Sequence, residues 1–182
     1  MTGYDVVPAG FSDGLLIGRL VLGLSMAAHG SQKLFGWFGG HGIAGTGGFF
    51  EQLGFRPGRI FAGAAGFSEF TGGLLLALGL LGPIGPALIL SVMVVATIVV
   101  HWKNGFFAMS GGIETTLLYA TTAVVFALTG YGRFSLDAAL GLEHLWSPGI
   151  AVVALAVGAL GGLLNVLTRR PAPVTPAAQS PA

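Results

Sequence analysis

The stretch that decides the fold is residues 83–100, PIGPALILSVMVVATIVV, in which no position carries a charged side chain. A helix of about 20 apolar residues crosses the hydrocarbon core of a bilayer, so this stretch predicts a transmembrane helix. The sequence Leu81-Gly-Pro-Ile-Gly-Pro86 predicts a tight turn between this helix and an antiparallel one before it. Four further segments have a similar character and run over about residues 12–28, 59–81, 113–129 and 148–167.

The composition of the whole chain agrees with this interpretation. Hydrophobic residues make up 53% and charged residues 8% of the 182 positions, whereas soluble domains carry about 25% charge. We therefore predict an all-α integral membrane protein, a four-helix bundle with an additional fifth transmembrane helix at the C-terminus. A net charge of +1 argues against nucleic acid as a partner, since nucleic acid would call for a basic face. The absence of cysteine excludes disulfides, thiolate metal sites and a catalytic thiol.

The chain is predicted to have four parts. They are an N-terminal segment (1–11), a four-helix membrane domain (12–140), an extra transmembrane helix (141–170) and a proline-rich, disordered tail (171–182). No cleavable signal peptide is evident, because the residues before the first span include no basic side chain. Lysine and arginine are concentrated after the first, third and fifth spans. This distribution places the N-terminus outside and the C-terminus in the cytoplasm of a bacterial-type inner cell membrane.

A glycine-rich segment, His29 to Phe50, follows the first span and opens a predicted interfacial loop of residues 29–58. Its glycines disfavour a stable helix, and its mixture of polar and aromatic residues suits the boundary between lipid and water. A short helix lying flat on the membrane is predicted within residues 48–55. We expect this segment to cover or line a site.

Two ionisable residues lie well inside predicted spans, Arg19 in the first and Glu69 in the second. At a rise of about 1.5 Å per residue, their depths differ by only about 5 Å in a core about 30 Å thick. An unpaired charge in lipid costs at least about 3 kcal/mol, so an Arg19–Glu69 ion pair between the two helices is predicted. Two roles remain open for it: it either holds the bundle together or binds and relays something polar.

A second group of polar residues gathers at the cytoplasmic ends of the predicted helices. His29 closes the first helix, His101 closes the third, Glu114 opens the fourth, and Lys33 lies just beyond the first. Two histidines and a carboxylate from three helices resemble either a metal site or a hydrogen-bonding pocket. Their spacing matches no metal motif, so no metal is predicted. Glu114 has the alternative role of a carboxylate at a helix amino-terminus.

On the opposite face, Arg133 and Asp137 are four residues apart and pair if that piece is helical. Ser135 alternatively caps a short surface helix that begins at Leu136. We expect this group, Arg133, Ser135 and Asp137, to have a structural role.

Taken together, these residues make the chain resemble the DoxX family over residues 12–140. The matching features are Arg19, His29-Gly-x-x-Lys33-Leu-Phe-Gly36, Gly66-Phe-Ser-Glu69, His101, Gly111-Gly-x-Glu114 and Gly130-x-Gly-Arg133-x-Ser135-x-Asp137. The resemblance implies a four-helix membrane bundle and, for some relatives, a subunit of a thiosulfate:quinone oxidoreductase. Other relatives are linked to thiol and oxidative-stress responses as parts of membrane oxidoreductase assemblies. Because this chain has no cysteine, a protein partner must supply any sulfur-handling groups.

Three functional hypotheses follow. The first is a membrane redox subunit with a pocket for a quinone headgroup. No cofactor is evident from a motif in the sequence, and the quinone is the cofactor that this hypothesis adds. The pocket's predicted hydrogen-bond donors are His29, Lys33 and His101, its predicted proton carriers are Glu69 or Glu114, and its predicted aromatic walls are Phe35, Trp37, Phe106 and Phe107.

The second hypothesis is a non-enzymatic scaffold that docks soluble redox proteins at the membrane. The third is a small-molecule transporter in which Arg19 and Glu69 line a polar path. The sequence is also compatible with a homo-oligomer.

Overall fold

The computed structural model describes residues 10–170, and in this part of the chain all regular structure is helical. The helices are α1 (Phe11–Phe35), α2 (Gly42–Gln52), α3 (Gly58–Leu78), α4 (Ile84–Ala96), α5 (Glu114–Thr129), α6 (Leu136–Ala139) and α7 (Pro148–Leu167). A π-helical turn, Thr97–His101, and a 3₁₀ turn, Trp102–Asn104, continue α4 without a break. The predicted tail, residues 171–182, lies outside the described residues, as do residues 1–9 of the predicted N-terminal segment.

Four of the described helices are long and apolar enough to cross a membrane: α1, α3, α4 with its continuation to Asn104, and α7. The remaining predicted span corresponds to α5, an apolar helix of 16 residues. Large apolar side chains cover the outer surfaces of these helices, for example Val21 on α1, Phe67 on α3 and Val153 on α7. Such a surface requires a lipid environment. The prediction of an all-α membrane bundle is therefore confirmed.

Close backbone contact between α1 and α3 forms the centre of the bundle. A Cβ atom at Gly30 would lie 2.3 Å from the backbone nitrogen of Phe70, and one at Gly73 would lie 2.5 Å from that of Ala27. Only glycine permits this approach, which is a common basis of helix association in membranes. The helices α4 and α5 complete a core that contains Met26, Leu76, Ile89, Met93 and Phe126.

The C-terminal helix α7 packs against the outside of α4. A Cβ atom at Gly158 would lie 2.4 Å from the carbonyl oxygen of Ala87, and one at Gly162 would lie 2.6 Å from that of Ser91. Residues on one face of α7, such as Leu155, are buried by this contact. This arrangement agrees with the predicted addition of a fifth long helix to a four-helix core.

The predicted interfacial loop of residues 29–58 is largely helical, so that prediction was wrong. The first helix continues through His29 to Phe35 and ends where Gly36 adopts a φ of 74°. The short helix predicted within residues 48–55 begins earlier, at Gly42, and ends at Gln52. Packing explains the error, because Gly30 provides close contact with α3 rather than flexibility, and tertiary contact outweighs its low helix propensity.

Candidate functional site

A cavity of about 240 Å³ lies between α1, α2, α3, α4 and α7. It is near the end of the bundle that carries Lys33, Lys103 and Arg169, which we call the basic end. One wall is aromatic, another is formed by valines of α4, and a few polar groups point to a common space. The residues of these three kinds are Phe49, Phe50, Phe55 and Phe61; Val92, Val95, Val99 and Val100; and Lys33, Ser68, Glu69, Ser91, His101 and Asn165.

The principal polar feature of the cavity is an ion pair between Lys33 and Glu69. The Lys33 ammonium donates a hydrogen bond to Oε2 of Glu69. The Lys33 side chain is 25% exposed and the Glu69 side chain is 4% exposed. The pair forms because the last turns of α1 lie against Gly66 of α3, where a Cβ atom would be 3.1 Å from that of Lys33. A carboxylate at this depth requires such a partner, since an unpaired charge inside a membrane is costly.

The predicted Arg19–Glu69 pair was wrong. Arg19 is buried, and its guanidinium donates instead to the carbonyl oxygens of Ala77 and Phe134. The Ala77 carbonyl lies in the last turn of α3, where the helix dipole favours a cation. The Arg19 guanidinium lies beside Gly79, where a Cβ atom would be 3.0 Å from its Nη1. Gly79 is ten residues beyond Glu69, which corresponds to about 15 Å along the direction of α3. The transport hypothesis required Arg19 and Glu69 to line one path, and it loses that support.

His101 lies on the cavity wall, as the predicted pocket requires. Its Nδ1 is 2.6 Å from the carbonyl oxygen of Gly111. A carbonyl oxygen only accepts hydrogen bonds, so Nδ1 carries the proton and Nε2 is the acceptor of the neutral ring. His101 ends the π-helical turn that continues α4, and such turns often occur at functional sites.

Two of the four predicted pocket residues, His29 and Glu114, lie away from the cavity. The ring of His29 packs edge-to-face against Tyr119 of α5, with centroids 6.0 Å apart. Glu114 accepts a hydrogen bond of 2.8 Å from the backbone N–H of Ala108 and thereby closes the loop before α5. Glu114 therefore has the second of its two predicted roles, that of a carboxylate in the first turn of a helix.

The predicted aromatic walls were also wrong. Phe35 packs against Trp37 and Phe70, with centroid distances of 4.9 and 5.6 Å. Phe106 and Phe107 pack against each other at 5.3 Å and are exposed. The cavity instead takes its phenylalanines from α2, α3 and the segment between them.

Sequence reasoning missed three polar residues of the cavity, Ser68, Ser91 and Asn165. Two signals were available. Ser68 directly precedes Glu69, and Asn165 is a polar amide in an otherwise apolar span. Among residues 10–170, no group of three or more His, Cys, Asp or Glu side chains is placed to hold a metal ion.

The opposite end of the bundle is organised by Asp137. Its carboxylate accepts hydrogen bonds from the backbone amides of Leu81, at 2.9 Å, and Gly82, at 2.7 Å. These bonds hold the α3–α4 turn, in which Leu81 has a φ of 59°. The Tyr131 hydroxyl donates to the carbonyl of Gly82. Burial raises the pKa of Tyr131 above its usual range, and the Asp137 charge raises it further.

The other members of the Arg133, Ser135 and Asp137 group behave differently from one another. Ser135 caps α6 through a bond of 3.2 Å from the N–H of Ala138, so its predicted capping role is confirmed. The predicted Arg133–Asp137 pair was wrong, because the Arg133 guanidinium lies 4.5 Å from the ring centroid of Phe134. Asp137 is already occupied by the turn amides.

The apolar exterior, the membrane-length helices and the internal ion pair define a multi-pass membrane protein. The family model of DoxX matches residues 14–102, and this confirms the resemblance to the DoxX family over α1 to α4. The matched range includes Lys33, Glu69 and His101, whereas α5 and α7 lie beyond it. Comparisons with curated proteins and with solved structures gave no significant match.

Proposed function

We propose that this protein is the quinone-binding membrane subunit of a redox assembly and that the cavity at the basic end holds the quinone headgroup. One observation carries the proposal: an ion-paired lysine and a histidine share an aromatic-walled cavity inside a lipid-facing bundle. Apolar lining with a few convergent polar groups is typical of small-molecule sites. A quinone in turn requires an apolar slot and hydrogen-bond partners at its two oxygens.

The size of the cavity fits a single ring. Its volume of about 240 Å³ lies just below the roughly 300–1,000 Å³ of sites for drug-sized ligands. Phe50, Phe55 and Phe61 offer ring faces and edges. The ring centroid of Phe55 lies 5.6 Å from that of Phe50 and 5.1 Å from that of Phe61. Aromatic rings prefer offset or edge-to-face neighbours at such spacings.

The two principal polar groups are chemically complementary. Lys33, which pairs with Glu69, is a donor, and it suits the carbonyl of an oxidised headgroup. His101 offers Nε2 as an acceptor, which suits the hydroxyl of a reduced headgroup. A bound quinone would carry electrons and protons between the proteins of the assembly. The chain itself binds the headgroup and provides sites for protons.

A matched pair of histidine variants tests this proposal. The purified protein in lipid nanodiscs is titrated with short-chain ubiquinone and menaquinone, and Kd is measured by calorimetry. We expect His101→Ala to raise Kd roughly 3- to 10-fold, the effect of losing one ligand hydrogen bond. His29→Ala removes the same side chain outside the cavity and should change Kd less than about twofold. Absence of quinone binding by the wild type, or an equal effect of both variants, would refute the proposal.

A second candidate, the non-enzymatic scaffold, is supported by one feature of the basic end. The loop between α4 and α5 exposes Phe106, Phe107 and Met109, and Met109 is fully exposed. Exposed apolar groups of this kind mark protein or membrane contacts. Mild-detergent co-purification with a soluble redox protein, lost on Met109→Ser and without quinone binding, would favour the scaffold. Quinone binding without such a partner would oppose it.

A further inference from the structure

The C-terminal end of α7 is attached to the segment that joins α2 and α3. The Arg169 side chain donates through Nε to the carbonyl oxygen of Leu53, at 2.8 Å. The backbone N–H of Arg170 donates to the carbonyl oxygen of Gly54, also at 2.8 Å. The Arg169 guanidinium carbon lies 5.9 Å from the ring centroid of Phe55. Three consecutive residues of the joining segment are therefore fixed by two consecutive residues after α7.

This segment forms part of the cavity wall. Leu53 and Phe55 both line the cavity, and Phe55 is only 1% exposed. Between them, Gly54 has a φ of 95°, and as a glycine it is the residue of the segment with the greatest backbone freedom. Asn165, one turn before Arg169, lines the same cavity. A helix outside the matched range of the family thus supports a wall of the site within it.

We propose that Arg169 is a positioning residue that holds the 53–55 segment closed over the cavity and thereby sets access to it. The inference deepens the proposed function, because the cavity is the one assigned to the quinone headgroup. The amides of Leu53, Gly54 and Phe55 bond back to α2, so this side of the segment is held by its own helix. Without the Arg169 side chain, its hydrogen bonding to the residues after α7 is reduced to the single main-chain bond from Arg170. The wall then opens more often about Gly54, and a molecule reaches the interior faster.

The absence of cysteine allows a test that needs no quinone. Ser68→Cys places one thiol in the cavity, and its labelling rate by a small methanethiosulfonate reagent in nanodiscs reports access. We expect Arg169→Ala to accelerate labelling roughly tenfold, the change in open population from losing one charge-assisted hydrogen bond. Arg170→Ala is the matched control, because it removes the same charge but keeps the main-chain N–H. Its rate should stay within about twofold of the parent rate.

Two further variants separate positioning from general loosening. Arg169→Lys keeps a charged donor for the Leu53 carbonyl and should restore part of the slow labelling. Ser12→Cys, in the separate cavity at the opposite end, should label at the same rate with and without Arg169→Ala. Equal acceleration by Arg169→Ala and Arg170→Ala, or equal acceleration at both cysteine positions, overturns the inference. A labelling difference without quinone binding would refute the proposed function alone.

Discussion

Replacing Lys33 by methionine removes the cation of the cavity while keeping a similar side-chain volume. The Glu69 carboxylate, 4% exposed, is then left without its partner. Removing one member of a buried pair costs about 3–5 kcal/mol. A quarter of the Lys33 side chain is exposed, so water already screens part of its interaction with Glu69. We therefore expect Lys33→Met to lower the free energy of unfolding by about 3 kcal/mol, the lower end of this range.

The reverse change should cost less. Glu69→Gln leaves Lys33, whose flexible stem can turn the ammonium toward the 25% of its surface that is already exposed. We expect about 1.5 kcal/mol, the value of one hydrogen bond to a charged group. Replacing the whole pair, Lys33→Met with Glu69→Leu, leaves no buried charge and should recover most of the loss, since apolar replacement of a buried pair is often neutral.

These three stabilities can be measured by reversible unfolding in mixed micelles, followed by far-ultraviolet circular dichroism. The expected order of the three stabilities follows from the unequal exposure of the two side chains. It would be refuted if Glu69→Gln were as destabilising as Lys33→Met. A double variant no more stable than Lys33→Met alone would contradict the same reasoning.

Three further predictions use the same unfolding assay. Gly73→Ala places a methyl group 2.5 Å from the α1 backbone and should lower the free energy of unfolding by about 1–3 kcal/mol. Gly63→Ala, with open space around it, should raise the free energy of unfolding by about 0.5–1 kcal/mol, and equal effects of the two variants would contradict the close packing. Asp137→Asn leaves one turn amide without an acceptor and should lower the free energy of unfolding by about 1–3 kcal/mol. Arg133→Ala removes one contact with the Phe134 ring and should lower it by less than about 1 kcal/mol. Because the pKa of Tyr131 is raised in the folded chain, its contribution is complete below about pH 10 and then falls by about 1.4 kcal/mol per pH unit. Tyr131→Phe should lack this component, and identical alkaline profiles would disprove it.

The helices were predictable because an apolar run is a local property of the sequence. Residues 83–100 needed no information from the rest of the chain to indicate a span. The true end of α1 was not local, because the helical conformation of Gly30 depends on its contact with Phe70 of α3. A glycine that permits helix packing and a glycine that ends a helix look alike in sequence.

The site was predictable only in part for the same reason. Lys33 and His101 were identified because the order of the spans alone places them at the same end of the bundle, close to the ends of the first and third spans. Depth alone indicated Arg19 as the partner of Glu69, because it was counted from the assumed ends of the spans. The glycine contacts instead set the register between α1 and α3, and this register places Arg19 beside Gly79 and Lys33 beside Gly66, within reach of Glu69.

The short length of α5 has a consequence for the surrounding lipid. Its 16 residues extend about 24 Å, about 6 Å less than a typical hydrocarbon thickness of about 30 Å. Outward-facing leucines such as Leu118, 63% exposed, bring lipid acyl chains into direct contact with this short helix. We expect the bilayer to thin along this helix, at an elastic cost on the order of 1–3 kcal/mol. The neighbouring helices α5 and α7 should therefore prefer different lipids, with shorter chains beside α5 and full-length chains beside the 20-residue α7.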